Sequence, residues 1–81
     1  MSAPFVVVSA DPAERVADLD ESIHSARVLQ WNASQMHNAR GVFRAERILE
    51  ALYAERDAIV AAHPAADRDG RLIGARRRAS R

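Results

Sequence analysis

The sequence predicts an all-α protein, folded as a helical hairpin or as one long helix. A helix start signal stands at Asp11, and an apolar repeat with helical spacing runs from Val28 to Ile59. The chain of 81 residues contains no cysteine, so no disulfide framework is available to hold an irregular fold. We therefore divide the chain into an N-terminal arm (1–10), a helical domain (11–63) and an arginine-rich tail (64–81).

Residues 1–10 are predicted to form a short extended arm. Phe5 is followed by three valines, an apolar and β-branched run that is typical of a buried strand, and Pro4 precedes it. A lone strand is not stable in water, so the arm must pack against something. Two alternatives stay open: the arm lies across the helices of its own chain, or it adds a strand to a partner or to a second copy.

The first helix is predicted to begin at Asp11-Pro12. The Asp11 carboxylate is suited to cap the free N–H groups of a first turn, and proline fits the first helical position because no N–H is needed there. Glu14 stands three residues after the cap, as in a capping box. The apolar positions that follow at spacings of three and four predict the buried face, namely Val16, Leu19, Ile23 and Ala26.

A second set of positions, which we call the seam, follows with steps of alternating three and four. This is the period of a left-handed coiled coil or helical bundle. His63-Pro64 is predicted to end the helix, because the residue before a proline disfavours helical backbone. The seam comprises Val28, Trp31, Gln35, Asn38, Val42, Ala45, Leu49, Leu52, Arg56 and Ile59.

The seam is the predicted interaction surface. Because an 81-residue domain with many alanines has a thin core, added stability from self-association or from docking on a larger partner is expected. The polar seam residues Gln35, Asn38 and Arg56 either fix the register of association or mark places where the seam reaches the surface. The predicted interface residues are Val28, Trp31, Val42, Leu49, Leu52, Tyr53 and Ile59.

Whether the helical domain is one helix or two depends on residues 27–41. Asn38 and Gly41 offer a turn, whereas Arg40, Arg44 and Arg47 would place positive charge at the start of a second helix, against its dipole. A continuous helix over residues 12–62 would be about 77 Å long and would need a partner along its whole length. We therefore expect a hairpin.

The tail is predicted to begin with a turn or linker over residues 65–70, since Asp69-Gly70 is a frequent turn pair. Residues 63–81 carry six arginines against two acidic residues, whereas residues 11–62 carry nine acidic residues against six arginines. We expect the tail to lie on an acidic surface of a neighbouring subunit or partner. The alternatives are binding to nucleic-acid phosphates and a solvated tail. The predicted binding residues are Arg71, Arg76, Arg77, Arg78 and Arg81.

No catalytic, metal or cofactor signature is found. His24, His37 and His63 lie far apart in the sequence, and Glu46 and Glu50 are flanked by arginines that indicate a solvated charged face. There is no glycine-rich phosphate loop and no nucleophile elbow. We therefore expect no enzymatic activity, no metal, no cofactor and no small-molecule substrate.

The expected function is that of a small non-enzymatic helical protein for protein–protein interaction or assembly, as an oligomer or bound to a larger partner. The alternative is a small nucleic-acid-binding protein that uses the arginine tail on phosphates. All twelve basic residues are arginine, which indicates a high-GC bacterium or its phage. No signal peptide or membrane span is predicted, so a cytoplasmic or virion-associated protein is expected.

Overall fold

A computed structural model describes residues 11–81, and the predicted arm at 1–10 lies outside the described residues. Three helices follow one another, α1 (Pro12–Gln35), α2 (Ala39–Ala62) and α3 (Ala65–Ala79). The predicted all-α class and the hairpin are confirmed by α1 and α2. The central helix is α1, which packs against both of the others, while α2 and α3 have little contact.

The start of α1 forms as the sequence predicts. A side-chain oxygen of Asp11 accepts a hydrogen bond from the backbone N–H of Ala13 at 3.0 Å, and Pro12 occupies the first turn. The predicted buried face is confirmed, because each of its four members is at most 8% exposed: Val16, Leu19, Ile23 and Ala26.

The chain reverses direction in three residues between α1 and α2. The N–H of Asn38 donates to the carbonyl of Ala33 at 2.8 Å and that of His37 to Ser34 at 3.1 Å, a pairing that satisfies the last carbonyls of α1. His37 takes a left-handed conformation, with φ of 54°. The Asn38 side chain then caps α2 by accepting from the N–H of Gly41 at 3.0 Å. The turn is therefore at 36–38, and Asn38 serves as a cap.

The core of the hairpin lies between α1 and α2. Its buried centre consists of Ile23 and Ala26 from α1 and Leu49 from α2, and the half-buried Leu52 and Tyr53 pack against it. The core is narrow because alanines occupy several of the contact positions, as the composition suggests.

The seam does not form one continuous face. On α2, Ala45 and Leu49 are buried against α1, but on α1 the seam positions Val28, Trp31 and Gln35 are exposed. The reason is that Val28 lies two positions after the buried Ala26, about 200° around α1, so the seam positions of α1 lie on a different face from its buried stripe. Of the two interpretations of the polar seam residues, a surface position therefore holds for Gln35.

The prediction of a turn or linker at 65–70 is wrong, because these residues form the first part of α3. Pro64 precedes the helix, Asp67 lies in its first turn, and arginines occupy its last turn, all of which favour a helix and its dipole. Gly70 is buried inside α3 and allows a close approach to α1. A Cβ atom there would lie 2.6 Å from Val16 Cγ1 and 3.0 Å from the carbonyl oxygen of Ala13.

Within residues 11–81, no helix combines the length and the apolar character that crossing a membrane requires.

Candidate functional site

The features with functional potential lie on the surface. Among residues 11–81 no polar or charged side chain is fully buried, and no group of three or more His, Asp or Glu side chains is placed to hold a metal ion. His24, His37 and His63 are exposed at three separate places: within α1, in the turn and after α2. Two surface features remain, one apolar and one rich in arginine.

The apolar feature is the end of the hairpin at the turn between α1 and α2. Seven large hydrophobic side chains are exposed among residues 11–81, and six of them fall between residues 28 and 48, whereas the seventh, Leu72, is on α3. We call these six side chains the apolar end: Val28, Leu29, Trp31, Met36, Phe43 and Ile48.

Part of the apolar end forms a groove between α1 and α2. Leu29 of α1 and Met36, which follows α1, face Ile48 of α2 across an open depression of about 510 Å³. Leu29 and Ile48 also line a second depression, which continues along the hairpin to Leu52. The apolar groove thus runs along the helix pair, and Arg44 stands at its edge.

Arginines stack on aromatic rings near this end. The Arg47 guanidinium lies 5.9 Å from the centre of the Phe43 ring, and the Arg27 guanidinium lies 5.8 Å from the centre of the Tyr53 ring. A guanidinium at such a distance is attracted to the face of the ring. Trp31 is 64% exposed, which is far more than burial in the core would allow.

The hairpin end is also basic. Residues 22–45 contain Arg27, Arg40 and Arg44 and no Asp or Glu. All three arginines are exposed. The apolar end, residues 28–48, therefore carries more positive than negative charge, with Arg40, Arg44 and Arg47 against Glu46.

The predicted interface residues are divided by the fold. Leu49 is buried inside the hairpin, and Leu52 and Tyr53 pack on that same core. Val42 and Ile59 are half-buried residues of α2. Two members of the predicted set, Val28 and Trp31, are exposed, and they belong to the apolar end.

The second feature is a cleft between α1 and α3, which we call the arginine cleft. Its volume is about 460 Å³. Four of the five predicted binding arginines line it, and the fifth, Arg76, lies outside. The sequence places all five arginines in one C-terminal segment, and the structure brings four of them to one cleft. The lining residues are Ala17, Asp20, Glu21, His24 and Ser25 on one side and Gly70, Arg71, Gly74, Arg77, Arg78 and Arg81 on the other.

Two of these arginines are paired with acidic side chains of α1. Arg77 donates to Asp18 and to Glu21, both at 2.7 Å, and Arg81 donates to Glu21 at 3.0 Å. The hydrogen bond from Arg77 and then that from Arg81 lower the pKa of Glu21, and the hydrogen bond to Asp18 raises the pKa of Arg77. The acidic surface expected for the tail is thus present on its own chain.

Arg56 joins all three helices. From α2 it donates to Asp20 of α1 and to Asp67 of α3, each at 2.7 Å, and its side chain is only 16% exposed. These bonds raise the pKa of Arg56, the bond to Asp20 most strongly, and the bond from Arg56 lowers the pKa of Asp67. Arg71 contacts Asp67 at 3.2 Å from one turn further along α3. Arg56, one of the seam residues, therefore links the three helices, and two carboxylates of the same chain offset its charge.

Sequence reasoning missed the acidic partners of the tail. Asp18 and Glu21 lie three residues apart on α1 and so share one helical face, and Arg77 of α3 and Arg81, just beyond its end, lie four apart. That matched spacing is the signal in the sequence, but it has meaning only once residues 65–79 are known to be helical.

No protein-family model matches the chain, and neither the curated proteins nor the solved structures include a significant match to it.

Proposed function

We propose that this protein is a non-enzymatic interaction module that binds a protein partner with the apolar end of its hairpin. The observation that carries the proposal is the concentration of six of the seven exposed large hydrophobic side chains of residues 11–81 between positions 28 and 48. Scattered exposed hydrophobic residues are ordinary on a soluble domain, but three of these six, Leu29, Met36 and Ile48, line one groove, and grouped apolar surface is typical of an interaction site.

The geometry fits a helical ligand. The apolar groove is bordered by Leu29, Met36 and Ile48 and continues to Leu52, so it is long enough to receive several apolar side chains from one helical face. Methionine adapts its shape to different ligands, and exposed aromatic residues such as Trp31 and Phe43 are frequent anchors of protein interfaces.

The charge of the hairpin end favours an acidic partner over a second copy. In a two-fold symmetric dimer the same patch of each copy meets itself. The exposed arginines Arg27, Arg40 and Arg44 of both copies would then be brought into one interface, with Glu46 as the acidic residue of positions 22–48. Like charges across an interface are unfavourable, so an amphipathic segment with acidic flanks is the better complement.

The nucleic-acid alternative has less support than the arginine count suggests. Arg77 and Arg81 are already engaged by Asp18 and Glu21. Arg71 also pairs with Asp67, which leaves Arg76 and Arg78 without an ion pair among residues 11–81, so the logarithm of the binding constant is expected to fall with the logarithm of salt at a slope of about −2. Failure to bind DNA or RNA at low salt eliminates this alternative.

The test of the main proposal is site-specific photo-crosslinking in cells that express the gene natively. A photoreactive phenylalanine is placed at Phe43, in the apolar end, or at the exposed Ala58 near the other end of α2 as the control. We expect a discrete crosslinked protein from position 43 and none from position 58. No product from position 43, or equal products from both positions, contradicts the proposal.

A titration with purified components completes the test. The crosslinked protein is expected to bind the wild type and to lose at least about tenfold in affinity when Met36→Glu and Ile48→Glu are introduced, because both place a carboxylate in the apolar groove. Light scattering of the purified protein is expected to show a monomer. A dimer that dissociates in the same double variant would instead identify a second copy as the occupant and refute the acidic partner.

A further inference from the structure

More cationic than anionic side chains line the arginine cleft. Arg71, Arg77, Arg78 and Arg81 line it, against two carboxylates, those of Asp20 and Glu21. Both carboxylates already accept hydrogen bonds from arginines, Asp20 from Arg56 and Glu21 from Arg77 and Arg81. Arg71 pairs with Asp67, so the positive charge of the cleft that no carboxylate offsets is carried by Arg78.

Arg78 is the member without a partner. Its guanidinium forms no ion pair or side-chain hydrogen bond with any other residue in the described range 11–81, although it lines the cleft. A guanidinium group carries five N–H donors in a planar fork that matches two oxygens of a phosphate group. Arg71 is 70% exposed and contacts only one oxygen-bearing side chain, that of Asp67, so it also keeps free donors.

Gly74 gives a ligand access to the helix between these two arginines. It lies three residues after Arg71 and four before Arg78, so all three share one face of α3. A Cβ atom at Gly74 would meet only the Arg78 guanidinium, at 3.5 Å, so no neighbouring element fills this position. On the opposite wall, His24 and Ser25 of α1 supply further polar groups.

We propose that the arginine cleft binds a small phosphate-bearing anion, held by the guanidinium groups of Arg71 and Arg78 over Gly74. The cleft, at about 460 Å³, lies within the size range of small-molecule sites. Arg77 and Arg81 position the wall of the cleft through their bonds to α1 and are not the principal ligands of the anion.

The proposal is tested by calorimetric titration of the full-length protein with inorganic pyrophosphate at low ionic strength. We expect saturable binding, and a loss of about tenfold in affinity in Arg78→Gln, because a charge-assisted bidentate contact is removed. The urea midpoint of this variant is expected to equal that of the wild type, since Arg78 has no ion pair in residues 11–81. Arg68→Gln is the matched control, because Arg68 is an exposed arginine of the same helix that does not line the cleft.

A second arm separates the small anion from a nucleic-acid backbone. The same variants are titrated with a short DNA duplex. Saturable pyrophosphate binding that is weakened in Arg78→Gln and unchanged in Arg68→Gln supports the cleft. No binding of pyrophosphate, or equal losses in both variants for pyrophosphate and for DNA, overturns the proposal, because a diffuse positive surface then accounts for all binding. Neither result depends on the partner of the apolar end.

Discussion

Alanine substitution at two glycines of α3 gives opposite expected effects on stability. Gly70 and Gly74 both lie in the interior of α3, one helical turn apart. In an isolated helix, either Gly→Ala change stabilises by about 1 kcal/mol because it lowers the entropy of the unfolded chain. The two sites differ in what the added methyl group meets.

At Gly70 the methyl group has no room. It would lie 2.6 and 2.8 Å from two atoms of Val16, which is fully buried, and 3.0 Å from the backbone oxygen of Ala13. Neither neighbour is a flexible side-chain end, so α3 must move away from α1, at a cost of about 1–3 kcal/mol for overpacking. At Gly74 the nearest atom, on the Arg78 side chain, is at the ordinary contact distance of 3.5 Å.

The gain in helix propensity is common to both variants, so the difference between their unfolding free energies equals the packing cost at Gly70, about 1–3 kcal/mol. For a domain of this size, that difference corresponds to a gap in melting temperature of at least about 4 °C, with Gly74→Ala the more stable. Thermal and urea unfolding followed by far-ultraviolet circular dichroism measure it. Equal stabilisation by both substitutions would refute the docking of α3 on Val16.

Four further predictions concern the hairpin and its ion pairs. Arg56→Met is expected to lower the unfolding free energy by about 1–3 kcal/mol, since two carboxylates lose a charged hydrogen-bond donor; an unchanged urea midpoint would contradict the bridge. The folded state holds the pKa of Glu21 and that of Asp67 below their ordinary values. The stability that these two carboxylates contribute is therefore complete above about pH 4.5 and is lost as the pH falls through the lowered pKa values. A urea midpoint that stays constant on acidification would contradict this prediction. His37→Gly is expected to stabilise by about 1 kcal/mol, because φ at this residue is 54°, a region that costs an L-residue energy; destabilisation in the same assay would exclude that turn geometry. Trp31→Ala is expected to change stability by less than about 0.5 kcal/mol, and a larger loss would place the indole in the core.

Local signals in the sequence located the start of α1 and the end of α2. Asp11-Pro12 starts α1 and His63-Pro64 ends α2, because capping and proline geometry depend on a few neighbouring residues. The buried stripe from Val16 to Ala26 was also predictable, since helical spacing and apolar character together define a face.

The exposed side of the hairpin was not predictable from spacing. The seam positions Val28 and Trp31 continue the rhythm of Leu49 and Leu52, yet the first two are exposed and the last two pack in the core. Val28 lies about 200° around α1 from Ala26 and its buried stripe, Trp31 shares the face of Val28, and the packing of α1 against α2 decides which of these two faces is buried. The apolar end could therefore be identified only from the tertiary structure.

The sequence by itself determined that the chain is helical, where α1 begins, where α2 ends, and that a basic segment follows an acidic one. Only the tertiary structure decided that residues 65–79 are helical and that their arginines find carboxylates in the same chain. Asp69-Gly70 favours a turn locally, but the absence of a side chain at Gly70 allows α3 to approach Val16. Arg77 and Asp18 then meet across 59 positions of sequence. Pairing at that separation depends on how the helices pack, which no local pattern of residues encodes.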